Sequence, residues 1–455
     1  MPPRPTDHCG QRRTLAVAAA GTFLVLVAFT APLATLVSTA RGLAAGPGAQ
    51  AWLLSSMSVG LGVGLLPSGA IADDHGRRRA FLAGTGLLAA ASVACAVATG
   101  PPVFIAARIA QGLGGAAILA CSLGLIAHAF PGAVERARAT GVWGASVGAG
   151  VAVGPLAAGG LDQGPGWRAS HWLIAGMAIW LTVAGWSLVE SRAEVRRRVD
   201  VVGVLLLGGG LACLLSGLVE ARQQWHRPLV AALFGAGGVL VAAFAVAEHR
   251  VAAPMLDPAL FRRPEFVAVT TAALATGLGI IAQLSFLTVV VERGLHGTSL
   301  DAAIVLLGWS GTSTLTALAA RRLPAGVSTR WQLAAGLLVV AAGQLALVGL
   351  DTGSSVARLL PGLLIAGVAS GVINAALGRG AVTSVPAGRA SVGSGANNTA
   401  RYVGSALGIT IVAVIAARPD PVDLVHGWNL ATVVTASFTV LGAAAVLACR
   451  PTPAT

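Results

Sequence analysis

Predominantly apolar stretches of about 20 residues recur from one end of this 455-residue chain to the other. Each is long enough to cross the ~30 Å hydrocarbon core of a bilayer as a helix, because a helix rises about 1.5 Å per residue. Hydrophobic residues make up 55% of the chain, and the mean hydropathy is +0.80. An ordinary soluble domain has an apolar share of about 45–50%. The sequence therefore predicts an all-α integral membrane protein.

Proline, glycine and charged clusters divide the apolar sequence into about fourteen predicted spans. They are 15–39, 49–71, 80–99, 103–129, 140–161, 171–189, 201–219, 228–247, 266–291, 301–320, 331–350, 357–378, 392–417 and 428–449. The 30 basic residues are all arginines, of which 21 fall on the side of the two termini, 7 on the other side and 2 within spans. Cytoplasmic loops carry the excess of positive charge. This asymmetry predicts a protein of the cytoplasmic membrane with both termini in the cytoplasm.

Charge is concentrated in one segment, GAIADDHGRRR, between the second and third predicted spans. Topology accounts for the arginines, but acids contribute little to orientation, so Asp73 and Asp74 need another role. A carboxylate there can accept hydrogen bonds from a helix N-terminus or pair with arginine. The segment resembles the signature G-x-L-a-D-r-x-G-r-[RK]-x of the major facilitator superfamily. The resemblance implies a cytoplasmic latch that stabilises the outward-facing state, built from Gly69, Asp73, Gly76, Arg77 and Arg78.

The fourth predicted span contains RIAQGLGGAA, which is similar to the R-x-x-q-G pattern of the same superfamily. An arginine in mid-span costs about 2.5–3.5 kcal/mol on insertion scales, so its side chain is expected to face a partner or water. The resemblance implies a structural or proton-relay role for Arg108 and Gln111. The alternative is that Arg108 only donates hydrogen bonds to backbone carbonyl groups.

The fifth predicted span contains GVAVGPLAAGG, whose small residues recur four apart and whose proline bends a helix. It resembles the antiporter motif of the superfamily, with Ala158 in place of one glycine. The resemblance implies an export-associated hinge at Gly150, Gly154, Pro155 and Gly159. A plain packing face rich in glycine is the alternative.

Other stretches are similar to the fourteen-helix drug:proton antiporter branch of the superfamily. They are Trp167-Arg168, DVVG from Asp200, PMLDPALFRRPEF and GANNTARYVGSALG. The resemblance implies a major facilitator fold of two six-helix halves with two extra central helices. The predicted division is a tail at 1–14, a first half at 15–190, a linker with the extra pair at 191–250, a second half at 251–449 and a tail at 450–455.

The predicted membrane interior is poor in acids. Proton-coupled members of the branch commonly carry a carboxylate in the first span, where this chain has VLVAFTAPLATL with Ala28 at the approximate equivalent position. None of the 17 acids lies near the middle of a predicted span. Candidate proton carriers are therefore Asp73 in the latch, and Glu292 and Asp301 near outer helix ends.

Transporters bind substrate near the bilayer midplane, between their two halves. The polar or aromatic candidates for this role are Gln283, Trp309, Asn374, Asn397, Asn398 and Arg401. Each of them could instead form an interhelical hydrogen bond.

Together these features predict a secondary transporter that exports small hydrophobic organic compounds by alternating access, driven by proton antiport. The alternatives are a proton-independent facilitator or importer and, from another class, a non-transporting membrane sensor or scaffold. No enzyme activity, catalytic residue, metal or cofactor is expected, because the sequence has no nucleophile–base pair, phosphate loop or metal-ligand cluster. The expected partners are substrate, protons and membrane lipid, with neither nucleic acid nor an obligate protein partner.

Overall fold

The computed structural model of the protein describes residues 8–193, 200–222, 225–251, 254–322, 327–416 and 420–450, and within these ranges the regular secondary structure is helical. The first helices are α1 (His8–Thr30), α2 (Pro32–Gly42), α3 (Pro47–His75), α4 (Arg77–Ala96), α5 (Pro101–Ala129), α6 (Ala133–Asp162) and α7 (Arg168–Gly185). The later helices are α8 (Val201–Ala221), α9 (Pro228–Arg250), α10 (Pro264–Ala275), α11 (Ala282–Val289), α12 (Ser299–Ala319), α13 (Thr329–Leu345), α14 (Leu359–Thr383), α15 (Ala390–Ala416) and α16 (Pro421–Ala448).

Twelve helices of the described residues are long and apolar enough to cross a membrane. One of them is the continuous segment Pro264–Gly294, in which π-helical turns at Thr276–Ile281 and Val290–Gly294 flank α11. Helices α7 and α13, with 18 and 17 residues, are not among the twelve. Helix α7 packs along α4, and α13 packs along α14 and α16. The described helices therefore support twelve of the fourteen expected spans.

The first predicted span, 15–39, is two helices rather than one, because Pro32 interrupts it. Proline has no N–H group to donate to the carbonyl oxygen four residues earlier, which here is that of Ala28. Helix α1 ends at Thr30, and α2 starts again with Pro32 in its first turn. The interruption leaves the Ala28 carbonyl free to accept a hydrogen bond from another helix.

Part of the predicted N-terminal tail, 1–14, is helical. Helix α1 already begins at His8, and Gln11 donates a hydrogen bond to the carbonyl of Ala129 at the end of α5 (2.9 Å). This contact holds the first turns of α1 against the bundle. Residues 1–7 and 451–455, which belong to the two predicted tails, lie outside the described residues.

Two large apolar clusters make up most of the buried core. Residues of α1 and α3–α7 form the first, and residues of α10–α14 and α16 form the second. The helices of the two clusters meet where α6 packs on α12 and α14. Helix α15 packs on α3 and α5 of the first cluster. Val382 and Ala390, from α14 and α15, are buried in the first cluster, so the sets share apolar contacts near the start of α15.

Close packing of α1 on α6 depends on glycines of the predicted hinge. A Cβ atom at Gly150 would lie 2.6 Å from both the carbonyl oxygen of Phe23 and the Cβ of Leu26. Gly154 faces Val27 and Thr30 just as closely, whereas a Cβ at Gly160 would meet nothing within 4 Å. Pro155 lies inside α6 without ending it. The seam therefore brings two backbones together in the way that small residues permit in membranes.

Replacing Gly150 by alanine is expected to destabilise the protein, because the added methyl group overlaps α1. Overpacking of this kind costs about 1–3 kcal/mol. Gly160→Ala, on the same helix, is the matched control, since it changes helix propensity equally without a new contact. The thermal unfolding midpoints of the two purified variants in detergent test this. Equal midpoints would contradict a packing role for Gly150.

Candidate functional site

The side chain of Asp73, at the end of α3, binds the N-terminus of α15. Its Oδ2 accepts a hydrogen bond from the backbone N–H of Val392 (2.9 Å), and its Oδ1 accepts one from that of Ser391 (3.2 Å). These are among the first three residues of α15, whose N–H groups have no partner within the helix. The carboxylate also complements the positive end of the helix dipole. Asp73 thus ties α3 to α15.

Arg77, in the first turn of α4, completes the same contact. Its Nη2 and Nε donate to Asp73 Oδ1 at 2.7 and 2.9 Å, and both side chains are buried. Nη2 also donates to the carbonyl of Gly388 (2.7 Å), and Nε to the hydroxyl of Ser391 (3.2 Å). A single guanidinium therefore bridges the α3–α4 corner and the residues that lead into α15. We call Asp73, Arg77, Gly388 and Ser391 the latch.

Further contacts surround the latch. Arg389 pairs with Asp74 at 3.2 Å, and Glu190 accepts a hydrogen bond from the backbone N–H of Arg78 at 3.0 Å. The guanidinium of Arg78 lies over the Trp186 ring, 5.7 Å from its centroid. Sequence reasoning missed the C-terminal partners of the latch, because they lie more than 300 residues away and form no repeat of the motif.

Gly69 and Gly76 of the sequence motif are needed for different structural reasons. Gly76 has φ +122°, a region that side chains rarely adopt, and it separates α3 from α4 by a single residue. Gly69 allows α3 to approach α15, since a Cβ there would lie 2.9 Å from the carbonyl carbon of Ser391. The charged segment is thus mostly helical rather than a loop.

Arg108 is fully buried in α5 and donates from Nη1 to the carbonyl of Ala28 (2.7 Å) and to Gln111 Oε1 (2.9 Å). Gln111 in turn donates to Ser92 of α4 (2.8 Å). The Ala28 carbonyl is the one that Pro32 leaves free. One acceptor of Arg108 is thus a backbone carbonyl and the other is a side-chain amide, so Arg108 does not bond to backbone alone.

A central cavity of about 290 Å³ lies between the two helix sets. Its lining residues come from the halves of the helices remote from the latch, such as Leu26–Thr30 of α1 and Arg401–Ala413 of α15. Its walls are mainly aliphatic, with hydroxyl groups from Ser55, Ser285 and Ser370. The helices are therefore joined at the latch end and spaced apart around a cavity toward the other end.

Three of the six candidate binding residues line this cavity. Arg401 donates from Nη2 to Asn374 Oδ1 (2.7 Å), and the Trp309 indole donates to Ser370 Oγ (3.2 Å). Tyr402 lies beside them, and its ring meets that of Phe29 edge to face at 5.6 Å, which joins α15 to α1.

The other three candidates take part in helix packing instead. Gln283 donates to Thr432 on α16 (3.2 Å), Asn397 to the carbonyl of Val269 on α10 (3.3 Å) and Asn398 to the carbonyl of Ser394 (3.0 Å). None of them is among the lining residues. Their amides are satisfied on faces of their helices that point away from the cavity.

The candidate proton carriers do not line the cavity either. Asp73 is in the latch, Glu292 lies in the π-helical turn Val290–Gly294, and Asp301 forms a capping box with Thr298 at the start of α12. Arg222 lines the cavity although the sequence placed it in an outer loop. Its Nη1 donates to Ser55 Oγ (2.9 Å). The sequence feature that could have indicated this location is that Arg222 directly follows an apolar run long enough to span the membrane.

Comparisons with known proteins found a family model, related proteins and a solved structure that are similar to this chain. A model described as Major Facilitator Superfamily matches residues 15–409. Multidrug resistance protein Stp of Mycobacterium tuberculosis is 30% identical over 412 residues, which cover 90% of this chain and 76% of that protein. Puromycin resistance protein pur8 of Streptomyces alboniger is 30% identical over 431 residues, covering 92% and 85%. The crystal structure of the human organic anion transporter MFSD10 (TETRAN) has a TM-score of 0.70 at 17% identity and covers 96% of this chain and 99% of that one, a likeness of fold.

Removing the latch arginine is expected to open the latch end. Arg77→Gln leaves the buried Asp73 carboxylate without its cation, a loss of about 3–5 kcal/mol for the closed arrangement. Arg79→Gln is the matched control, because Arg79 is 77% exposed and its 3.8 Å pair with Glu190 contributes at most about 1 kcal/mol. Spin labels at Val134 and Ala387, in a background without other reactive cysteines, report the separation. An unchanged distance distribution in Arg77→Gln would rule out the latch.

Proposed function

Because the chain belongs to the Major Facilitator Superfamily, we propose that it exports small, largely hydrophobic organic compounds by alternating access. The observation that carries this proposal is the central cavity, which is closed toward the latch and lined by the opposite halves of the helices. With the latch at the cytoplasmic end, this arrangement is the outward-facing side of the cycle. Opening the latch would then expose the same cavity to the cytoplasm.

The direction of transport is supported by the relatives. Two proteins that this chain resembles over 90% or more of its length are named for resistance to multiple drugs and to puromycin. Resistance by transport requires removal of the compound from the cell. The mainly aliphatic walls of the cavity suit hydrophobic compounds.

We further place the chain in the fourteen-helix branch, with α7 and α13 crossing the membrane beside the twelve longer helices. Their packing along α4, α14 and α16 supports this, as does the arginine count, which favours a cytoplasmic location of both termini. The extra pair is α8 and α9, which pack on each other, while α8 also contacts α3 and α15.

We propose that the proton gradient drives export by antiport, with Asp73, Glu292 and Asp301 as candidate proton carriers. A second candidate is a facilitator that needs no proton. It is favoured by one observation, that no aspartate or glutamate lines the cavity in the part of the chain that the structure describes.

Thiol labelling tests the fourteen-span arrangement. If α7 crosses the membrane, a cysteine placed at Gly164 reacts with an impermeant maleimide in intact cells, whereas one at Val189 reacts only after permeabilisation. Both positions are exposed in the structure, in a chain whose own five cysteines would be replaced. Labelling of both positions from the same side would contradict a crossing by α7.

Reconstituted transport tests the function. Proteoliposomes with an internal pH dye and an imposed proton gradient should show proton movement when a transported compound is added from a panel of hydrophobic antibiotics and dyes that includes anions. Asp73→Asn should abolish this movement, because that variant loses the anion of the latch. Asp351→Asn, in an exposed loop, is the control and should behave as the wild type.

Flux of a compound from this panel without proton movement would favour the facilitator. The absence of flux for a panel of hydrophobic antibiotics and dyes would contradict export altogether.

A further inference from the structure

The charged side chains that line the central cavity, among the residues described, are both cations. They are Arg222, at the end of α8, and Arg401, in α15. The rest of the lining is apolar or carries neutral hydroxyl, indole, phenol and amide groups. A cavity that receives a cationic compound would have to offset this positive charge with a carboxylate, and none lines it in the ranges that the structure describes.

Among the residues that the structure describes, no acid forms an ion pair with either arginine. Arg401 is 7% exposed and donates to the uncharged Asn374, while its buried Nε has no hydrogen-bond partner. Arg222 donates to the hydroxyls of Ser55 (2.9 Å) and Thr410 (3.4 Å). A buried charge that is neither paired nor fully hydrogen-bonded is unfavourable.

The acid nearest to Arg222 in sequence is engaged elsewhere. Glu220 accepts a hydrogen bond from the Trp52 indole at 2.6 Å and pairs with Arg227 at 3.6 Å. It is not among the lining residues. The two cavity arginines therefore retain an uncompensated positive field toward the cavity.

We propose that the cavity binds hydrophobic organic anions, with a carboxylate, phenolate or sulfonate group directed at Arg401, while Arg222 adds positive charge at another part of the wall. The proposal rests on the export function proposed above and specifies its substrate class. The anionic group would supply the negative charge that these guanidinium groups lack, and guanidinium–oxyanion hydrogen bonds are among the strong ones. The hydrocarbon part of the compound would occupy the aliphatic wall near Leu26, Phe29 and Ile280.

Anion export also relates to the acid-poor interior. The outward movement of an anion carries negative charge out of the cell, which an inside-negative membrane potential favours. Exchange for an entering proton moves charge in the same sense. Either process draws on the potential without a carboxylate in the cavity.

A pair of dyes that differ by one sulfonate tests the proposal. The anionic 8-anilinonaphthalene-1-sulfonate and the neutral N-phenyl-1-naphthylamine would be titrated into protein in lipid nanodiscs, with empty nanodiscs as the blank. The wild type should bind the anionic dye about tenfold or more tightly than the neutral one, and Arg401→Gln should remove about that factor for the anion alone. Arg401→Lys, which keeps the charge, should restore most of it.

Two other variants separate charge recognition from folding. Ser285→Asp leaves both arginines in place and puts a carboxylate on the cavity wall, so it should weaken binding of the anionic dye and spare the neutral dye. Arg168→Gln is the control, because Arg168 donates to the Ala98 carbonyl and stacks on Trp167 away from the cavity. It should leave both affinities unchanged.

The proposal is overturned if the wild type binds the neutral dye as tightly as the anionic one, if neither dye binds, or if Arg401→Gln and Ser285→Asp both weaken the two dyes equally. These binding results are independent of transport. Charge-dependent binding without puromycin or dye flux in proteoliposomes would uphold the anion site while contradicting the export function. Flux without charge-dependent binding would uphold the export function while contradicting the anion site.

Discussion

The hydrogen bonds from the N-terminus of α15 to the Asp73 carboxylate determine which end of the bundle is closed. A helix N-terminus presents N–H groups without partners, and a carboxylate satisfies them while complementing the helix dipole. Arg77 neutralises the same carboxylate and reaches the Gly388 carbonyl, so the charge is paired despite its burial. Because α15 also lines the cavity farther along its length, holding its start against α3 places the free volume toward its other end.

A second constraint attaches α1 to the bundle. Pro32 leaves the Ala28 carbonyl without its helical donor, and Arg108 supplies one from α5. The guanidinium of Arg108 thus meets the partial negative charge of a carbonyl oxygen, where an acid would supply a full negative charge. Gln111 and Ser92 extend the connection to α4. Here the same proline that divides the first span creates the acceptor that makes a buried arginine tolerable in α5.

Glycine-lined contacts and the central cavity are complementary features of the packing. Along the α1–α6 seam, Gly150 and Gly154 let backbones approach so closely that an added methyl group would overlap the neighbouring helix. Around the cavity, long side chains such as Trp309, Tyr402 and Arg401 form the wall. The helices thus touch through backbone along the seam and through side chains around the cavity. This arrangement suits the alternating access that we propose.

The sequence by itself determined the helical membrane class, most of the spans and the motif that contains Asp73, Gly76 and Arg77. Spanning length and a motif of adjacent residues are local properties. Tertiary structure alone decided that Asn374, Trp309 and Arg401 face the cavity while Gln283, Asn397 and Asn398 do not, and that Arg222 joins the former. It also supplied the latch partners Gly388 and Ser391. The physical reason is that lipid and the interior of a membrane helix bundle are both apolar. The sequence pattern of a membrane helix therefore does not tell which of its faces contacts lipid, a neighbouring helix or a cavity.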